Sequence, residues 1–205
     1  MIKQPGRLVL LGRSLGHSLS PVFQNAALQA AKLSLRYETL DVPASALEET
    51  LEQLSAEDAA GNVTIPYKER VFDACDRLTS IAQHVGAVNT FWFERGELVG
   101  DNTDVYGFDA ATRHLLQTEP RNLTVGLFGA GGAAAAVICA VASWSNCCVL
   151  VVNRTASRAA TLTARFSSVA SVSDVATINQ EANVVVNATS IGLRDDDLPF
   201  DPTLI

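Results

Sequence analysis

A chain of 205 residues with 48% hydrophobic content is long for one domain and suits two small ones, each with a packed core. A formal net charge of −7 excludes the basic face that nucleic-acid binding requires, and no apolar run approaches the ~20 residues of a membrane-spanning helix. The apolar run at residues 8–12 is too short for the hydrophobic part of a secretion signal and reads as a first strand.

After that strand comes His17-Ser18-Leu19-Ser20-Pro21, then an alanine-rich helix over residues 21–32. Ser20 is predicted as its N-cap and Pro21 as a favourable first helical residue. A second strand at 35–42 leads to a helix opened by a capping box, Ser45-Ala46-Leu47-Glu48, with Leu47, Leu51 and Leu54 on one face. In GNVTIPYKER, residues 61–70, a short strand stops at Pro66 and a helix follows. Residues 88–93, a turn at Glu94-Arg95-Gly96, and Leu98-Val99 predict a hairpin that ends in GDNTD, residues 100–104. A helix over 104–117 then runs to a linker at Pro120-Arg121-Asn122.

The second half is organised around TVGLFGAGGAAAAV, residues 124–137, which reads as a buried strand, a glycine turn and a small-residue helix. Gly129, Ala130, Gly131, Gly132 and Ala133 let the backbone turn tightly and approach a ligand, and the positive end of the following helix favours a pyrophosphate. The spacing is GxGGxxxA rather than the GxGxxG dinucleotide fingerprint, and it also suits a turn that binds nothing. Further strands are predicted at 148–152, 169–172 and 184–186, with a helix over 156–166 and a solvated loop at the acidic run Asp195 to Asp197. Strands alternating with helices indicate an α/β fold.

An acidic residue at the end of the second strand of such a domain would bind the ribose hydroxyls of NAD. Here Asn153, Arg154 and Thr155 stand in that place, with Arg158 one turn on. Guanidinium groups grip phosphate bidentately, so this pattern favours the 2′-phosphate of NADP over a pair of solvated helix-start arginines. Ser18 and Ser20, at the start of a helix, can either receive a carboxylate or simply cap and be solvated. Lys68 and Asp104 each follow a strand and together would move a proton to or from a hydroxyl or ketone; apart, they are a surface cation and a helix cap. Cys75, Cys139, Cys147 and Cys148 lack ligand spacing and read as reduced, buried thiols of a cytoplasmic protein. His17, His84 and His114 are scattered, so no metal site is expected.

Taken together, HSLSP, NVTIPYKE, GAVNT, GDNTD, GAGGAAAA, NRTASRA and NATSIGL resemble the shikimate dehydrogenase family, in its order and at its separations, from residue 8 to the C-terminus. The resemblance implies an N-terminal α/β substrate and catalytic domain over 1–104, a connecting helix and linker over 105–120, and a Rossmann-like, doubly wound NADP domain over 121–205, with the active site in the cleft between the domains. Ser18 and Ser20 look like its carboxylate-binding serines and Thr64 like another substrate contact. Lys68 and Asp104 look like the catalytic pair, with Asn89 and Asp104 on the ring hydroxyls. Gly129 to Ala133 match the pyrophosphate loop and Asn153, Arg154 and Thr155 the 2′-phosphate site, with Thr189 and Ser190 near the cofactor. The implied reaction is hydride transfer from NADPH to 3-dehydroshikimate, and proton-transfer chemistry, rather than the resemblance, makes Lys68 the expected donor with Asp104 positioning it.

One departure accompanies the match. Family members continue beyond the position of Ile205 with a tyrosine-bearing strand, then helices carrying a methionine near the nicotinamide and a glutamine near the substrate. Residues 121–205 hold about four of the six strands of a full doubly wound domain. The strand at 184–187 would then expose an apolar edge prone to aggregation or pairing. The expectation is a shortened form of a family member whose nucleotide domain is incomplete at its C-terminus. A homodimer along the N-terminal sheet edge is compatible with the pattern. Alternative readings are a quinate/shikimate dehydrogenase that accepts NAD, against which Arg154 speaks, and a catalytically impaired NADP- or shikimate-binding fragment. A related two-domain enzyme such as methylene-tetrahydrofolate dehydrogenase is disfavoured by HSLSP and GDNTD.

Overall fold

In the computed structural model, which describes residues 4–192 and 197–199, the first apolar run forms β1 (Arg7–Gly12), buried from Val9 onward. The chain divides into two units, Met1–Thr103 and Asp104–Ile205. In the first, β1 is followed by α1 (Ser20–Ala30), β2 (Tyr37–Asp41), α2 (Leu47–Ala56), β3 (Ala59–Val63) and α3 (Lys68–Ala74). The unit closes with β4 (Arg77–Leu78), α4 (Ser80–Val85) and the hairpin β5 (Thr90–Glu94) and β6 (Glu97–Asp101). Its mixed sheet has the order β2-β1-β3-β5-β6-β4. β1 pairs in parallel with β2 and β3, whereas β5 runs antiparallel to β3 and β6. Arg95 and Gly96 take φ of 57° and 85° at the hairpin turn, the positive pair that a two-residue turn of matching twist demands.

Leu47, Leu51 and Leu54 bury the predicted face of α2 beside Val9, Leu11, Val63, Val71 and Phe91. Two predicted caps are different in the structure. Ser20 is the first helical residue of α1 rather than its N-cap. A short 3-10 turn at Leu15–His17 delivers Ser18 to that point, and the Ser18 Oγ accepts the Ser20 N–H at 3.3 Å. The chain enters α2 through another 3-10 turn, Ala44–Ala46, so Ser45 lies inside helical backbone and no capping box forms; Glu48 pairs with Arg70 instead. β4 and α4 have no counterpart among the expected elements; α4 is capped by Thr79, whose Oγ1 accepts the Ala82 N–H at 3.1 Å.

The second unit runs α5 (Asp104–Leu116), β7 (Thr124–Phe128), α6 (Gly132–Val141), β8 (Cys148–Val152), α7 (Ala156–Arg165), β9 (Ala170–Val172), α8 (Val175–Glu181) and β10 (Val184–Asn187). Its strands are all parallel, in the order β10-β7-β8-β9, a Rossmann-like arrangement in which the chain winds first to one side of β7 and then to the other. Ala134, Ala135, Ala136, Ile138 and Ala140 are buried along α6, and α5 packs along that helix. Phe108 stacks on Trp144, whose Nε1 donates to Asp109 at 2.6 Å. Among the described strands β10 pairs with β7 alone, and Val184, Val185 and Val186 are half-buried at that edge.

The expected loop at Asp195 to Asp197 lies outside the described residues except for Asp197. The four cysteines are free thiols, but none is fully buried and Cys148 is exposed at the start of β8, which corrects the expectation of buried thiols. Partial burial still pushes the Cys75 thiol up to about 12 and Cys139 up to about 11. Among the described residues no helix is long and apolar enough to cross a membrane.

Candidate active site

The register of the first sheet brings the ends of five strands to one edge. Gly12 lies opposite Asp41, Leu11 opposite Val63, Asn62 opposite Thr90, and Thr90 opposite Asp101. The segments holding Ser18 and Ser20, Thr64 and Lys68, Asn89, and Thr103 therefore all leave the sheet at that edge. Asp41 folds the first of them, accepting from Arg13 at 2.9 Å and from the Leu15 N–H at 3.1 Å. The Leu15 bond, then Arg13, holds the Asp41 carboxyl below its usual range. Ser18 and Ser20 are half-buried beyond this loop.

Thr64 is fixed by its main chain, donating to Leu11 at 2.9 Å and accepting from Tyr67 at 2.9 Å. Its side chain lies against Gly12, where a Cβ would meet Thr64 Cγ2 at 2.6 Å. Lys68 heads α3 and is half-buried, and its carbonyl accepts the Val88 N–H at 2.9 Å. The next residue, Asn89, is 7% exposed. Its Oδ1 accepts the Thr103 N–H at 2.8 Å and its Nδ2 donates to Thr103 Oγ1 at 3.0 Å. Asp104 follows Thr103 in the chain and begins α5. Lys68 and the residue preceding Asp104 are thus both tied to Val88–Asn89.

The second unit gathers its own loops at the carboxyl edge of its sheet. Phe128 lies opposite both Val152 and Asn187, so the turns after β7, β8 and β10 emerge side by side, around the point where the strand order reverses. Gly129 has φ +120°, and a Cβ there would meet the Ala188 oxygen at 2.8 Å, so the β7 and β10 turns pass in close contact. At Gly131 a Cβ would meet nothing within 4 Å. That open space lies at the N-terminus of α6, where the first N–H groups of Gly132 and Ala133 have no partner within the helix. Ala130 is half-buried in the same turn. Asn153 Nδ2 donates to the Thr155 carbonyl at 2.9 Å and shapes the turn into α7, from which Arg154 and Arg158 project as exposed side chains. Among the described residues no carboxylate pairs with Arg154. A glycine with room beside it, free amides and nearby guanidiniums fit a dinucleotide bearing an extra phosphate.

After β10, Asn187 Oδ1 accepts from the Thr189 N–H at 2.9 Å and the Thr189 hydroxyl at 2.7 Å, while its Nδ2 donates to Ile191 at 3.0 Å. Thr189 is therefore engaged within its own loop, and Ser190 is exposed. Among the described residues no cluster of His, Cys, Asp and Glu could hold a metal ion.

Sequence reasoning leaves out Tyr37, Asn62, Thr90 and Thr103, which bond around Asn89, and Asn187, which shapes the last loop. Asn62 carries a legible signal, since asparagine is disfavoured inside a strand; so does Asn187, as an asparagine two residues before a threonine whose N–H it can accept.

Two family models cover most of the chain: the shikimate dehydrogenase substrate binding domain at residues 10–91 and shikimate / quinate 5-dehydrogenase at residues 111–192. The shikimate dehydrogenase (NADP(+)) of Brucella abortus (strain S19) is 36% identical over 200 residues, covering 94% of this chain and 69% of that protein. The crystal structure of shikimate dehydrogenase from Aquifex aeolicus matches with a TM-score of 0.89 at 34% identity, over 100% of this chain and 77% of that one. The Thermus thermophilus shikimate 5-dehydrogenase, solved in complex with NADP(H) and shikimate, matches with a TM-score of 0.85 at 34% identity, over 97% and 74%. With both units matched in order and a relative this similar over more than two thirds of its length, the chain belongs to the shikimate dehydrogenase family.

Proposed function

We propose that this chain is an NADP-dependent shikimate dehydrogenase, an oxidoreductase acting on a CH–OH group that interconverts 3-dehydroshikimate and shikimate on the route to chorismate and the aromatic amino acids. The observation that carries the reading is the convergence of the Ser18, Thr64, Lys68 and Asn89 segments on one sheet edge, with Asp104 directly following the Thr103 that Asn89 holds. Residues 1–104 serve the substrate in this reading and residues 121–205 the cofactor, joined by the segment 105–120.

Ser18 and Ser20 receive the substrate carboxylate with hydroxyl and main-chain donors. Thr64, Lys68, Asn89 and Asp104 hold the ring oxygens. When bound, NADPH supplies the hydride. Lys68 donates the proton that neutralises the developing alkoxide, and Asp104 orients the ammonium toward it. Gly129, Ala130, Gly131, Gly132 and Ala133 cradle the pyrophosphate, Asn153, Arg154, Thr155 and Arg158 the 2′-phosphate, and Thr189 and Ser190 border the cofactor. Arg154, exposed and without a carboxylate partner among the described residues, favours NADP over NAD and so disfavours the reading as an NAD-accepting quinate dehydrogenase. Free thiols support a reducing, cytoplasmic location. Among the described residues β2 and β4 are the edge strands of the first sheet, which supports a homodimer along that sheet, and light scattering tests it.

The deciding experiment follows nicotinamide absorbance while the 205-residue chain is incubated with shikimate and either NADP or NAD. Shikimate-dependent reduction, faster with NADP, is expected. A folded preparation that binds NADP but reduces neither cofactor favours the catalytically impaired binding fragment, and one that neither binds nor reduces a cofactor overturns the assignment.

A further inference from the structure

Asn62 lies within β3 with its polar side chain bonded on two sides. Its Nδ2 approaches the Asn89 carbonyl at 3.3 Å and the Thr90 Oγ1 at 3.1 Å. A carbonyl can only accept, so this contact fixes which end of the Asn62 carboxamide faces Asn89. Asn62 Oδ1 then points to the Tyr37 hydroxyl, which must donate to it, at 2.7 Å. Asn89 is fixed by the same logic, because its Oδ1 meets the Thr103 N–H, which can only donate. Thr90 Oγ1 sits between the two amides. It accepts from Asn62 and passes its own hydrogen to Asn89 Oδ1 at 2.9 Å. The bonds therefore run in one direction: Tyr37 to Asn62, Asn62 to Thr90, Thr90 to Asn89, with the Thr103 main chain closing the end.

The origin of this chain of bonds is protected. The Tyr37 ring is 4% exposed, and burial raises its phenol to about 12, so the hydroxyl keeps its proton throughout the working range. The Asn25 side chain clamps the Tyr37 main chain on both sides, accepting its N–H at 2.9 Å and donating to its carbonyl at 2.9 Å. No buried side-chain polar atom among the described residues lacks a partner, and a fully satisfied polar network specifies one arrangement.

We propose that Asn62 and Thr90 are positioning residues of this enzyme: through their one-directional hydrogen bonds they set the Asn89 carboxamide, and with it the main chain of Thr103 immediately before Asp104. The proposal rests on the reading of Asn89 and Asp104 as substrate-binding residues. Neither Asn62 nor Thr90 touches substrate in it; they act by keeping Asn89 from rotating and Thr103 from drifting.

The test compares the parent chain with Thr90→Val, Thr90→Ser and Asn62→Asp. Valine matches threonine in shape and suits a strand, but it breaks the relay at both its accepting and donating steps. Thr90→Val should lower kcat for shikimate oxidation about tenfold, near the worth of one hydrogen bond, and raise the shikimate KM while leaving the NADP KM unchanged. Thr90→Ser, which keeps the hydroxyl, should restore both values. Asn62→Asp, whose carboxylate cannot donate to Thr90 or to the Asn89 carbonyl, should reproduce the valine effect. A lowered Tm with kcat and shikimate KM at parental values would assign the network to stability alone and overturn the proposal, as would failure of serine to rescue. A parent chain that does not turn over shikimate would refute the functional reading instead, and the two failures are told apart by that control.

Discussion

Gly129 and Gly131 stand two residues apart and are glycine for different reasons. Gly129 has φ +120° and faces the Ala188 oxygen, which an added Cβ would meet at 2.8 Å. Gly131 has φ −110° and open space beside it. Gly129→Ala should therefore lower stability by roughly 1–3 kcal/mol, seen as a fall in Tm. Gly131→Ala should leave Tm unchanged and weaken NADP binding, because the methyl fills the space a phosphate approaches. Binding titrations separate the two; parental NADP affinity in Gly131→Ala would place the pyrophosphate elsewhere. Arg154→Asp should narrow the ratio of NADP to NAD activity, since a carboxylate repels the 2′-phosphate, and an unchanged ratio would mean that other groups hold it. Lys68→Ala should reduce kcat by about a hundredfold or more with little change in the NADP KM. Equal losses in both would count against a proton-transfer role.

Elements with a local cause were legible from sequence. The hairpin between β5 and β6 announced itself by Arg95-Gly96, and β7 and α6 by an apolar run followed by glycines and alanines. The short helices α4 and α8, six and seven residues long, were not, because they are too brief for a helical period to show. Each nevertheless carries a capping side chain, Thr79 for α4 and Asp174 for α8. The misplaced caps at Ser20 and Ser45 have a common cause: a 3-10 turn ahead of each helix shifted the first helical residue. For the candidate site, Ser18, Thr64, Lys68 and Asn89 could be named from motifs, but their convergence depends on β3 lying between β1 and β5, which no local pattern encodes. Tyr37 and Asn62 escaped notice for the same reason, since they bond 25 residues apart. Asp174 offers a test at this scale. Its carboxylate accepts the Thr177 N–H at 2.8 Å, and that bond holds its pKa below the ordinary range. A depressed carboxylate stabilises above its unfolded pKa of about 4 and loses that contribution as pH falls through the folded value. Amide exchange in α8 should therefore accelerate in acid, whereas Asp174→Asn, a cap that does not titrate, should remove the pH dependence. The same acid response in the asparagine variant would show that another group opens the helix.

At the scale of the whole chain, each unit presents its candidate loops from a single edge of its own sheet, for reasons set by strand direction. Parallel strands end together, so the turns after β7, β8 and β10 cluster, as do those after β1, β2 and β3. The two ligands should therefore be separable by where each first slows amide exchange. NADP alone should protect residues 129–133, 153–158 and 187–190, which include the Gly131 turn and the Arg154 segment. Shikimate alone should protect residues 13–20, 64–68 and 86–90, which include Ser18, Thr64, Lys68 and Asn89. The size of the effect is bounded by mass action: a ligand at 100 times its Kd stabilises the folded form it binds by about 2.7 kcal/mol and leaves regions that open locally with less protection. Protection of the first set by shikimate and of the second by NADP would reverse the assignment of substrate and cofactor to the two units. Protection of neither set by either ligand, in a chain whose sheets exchange slowly, would mean that these edges are built for turns alone.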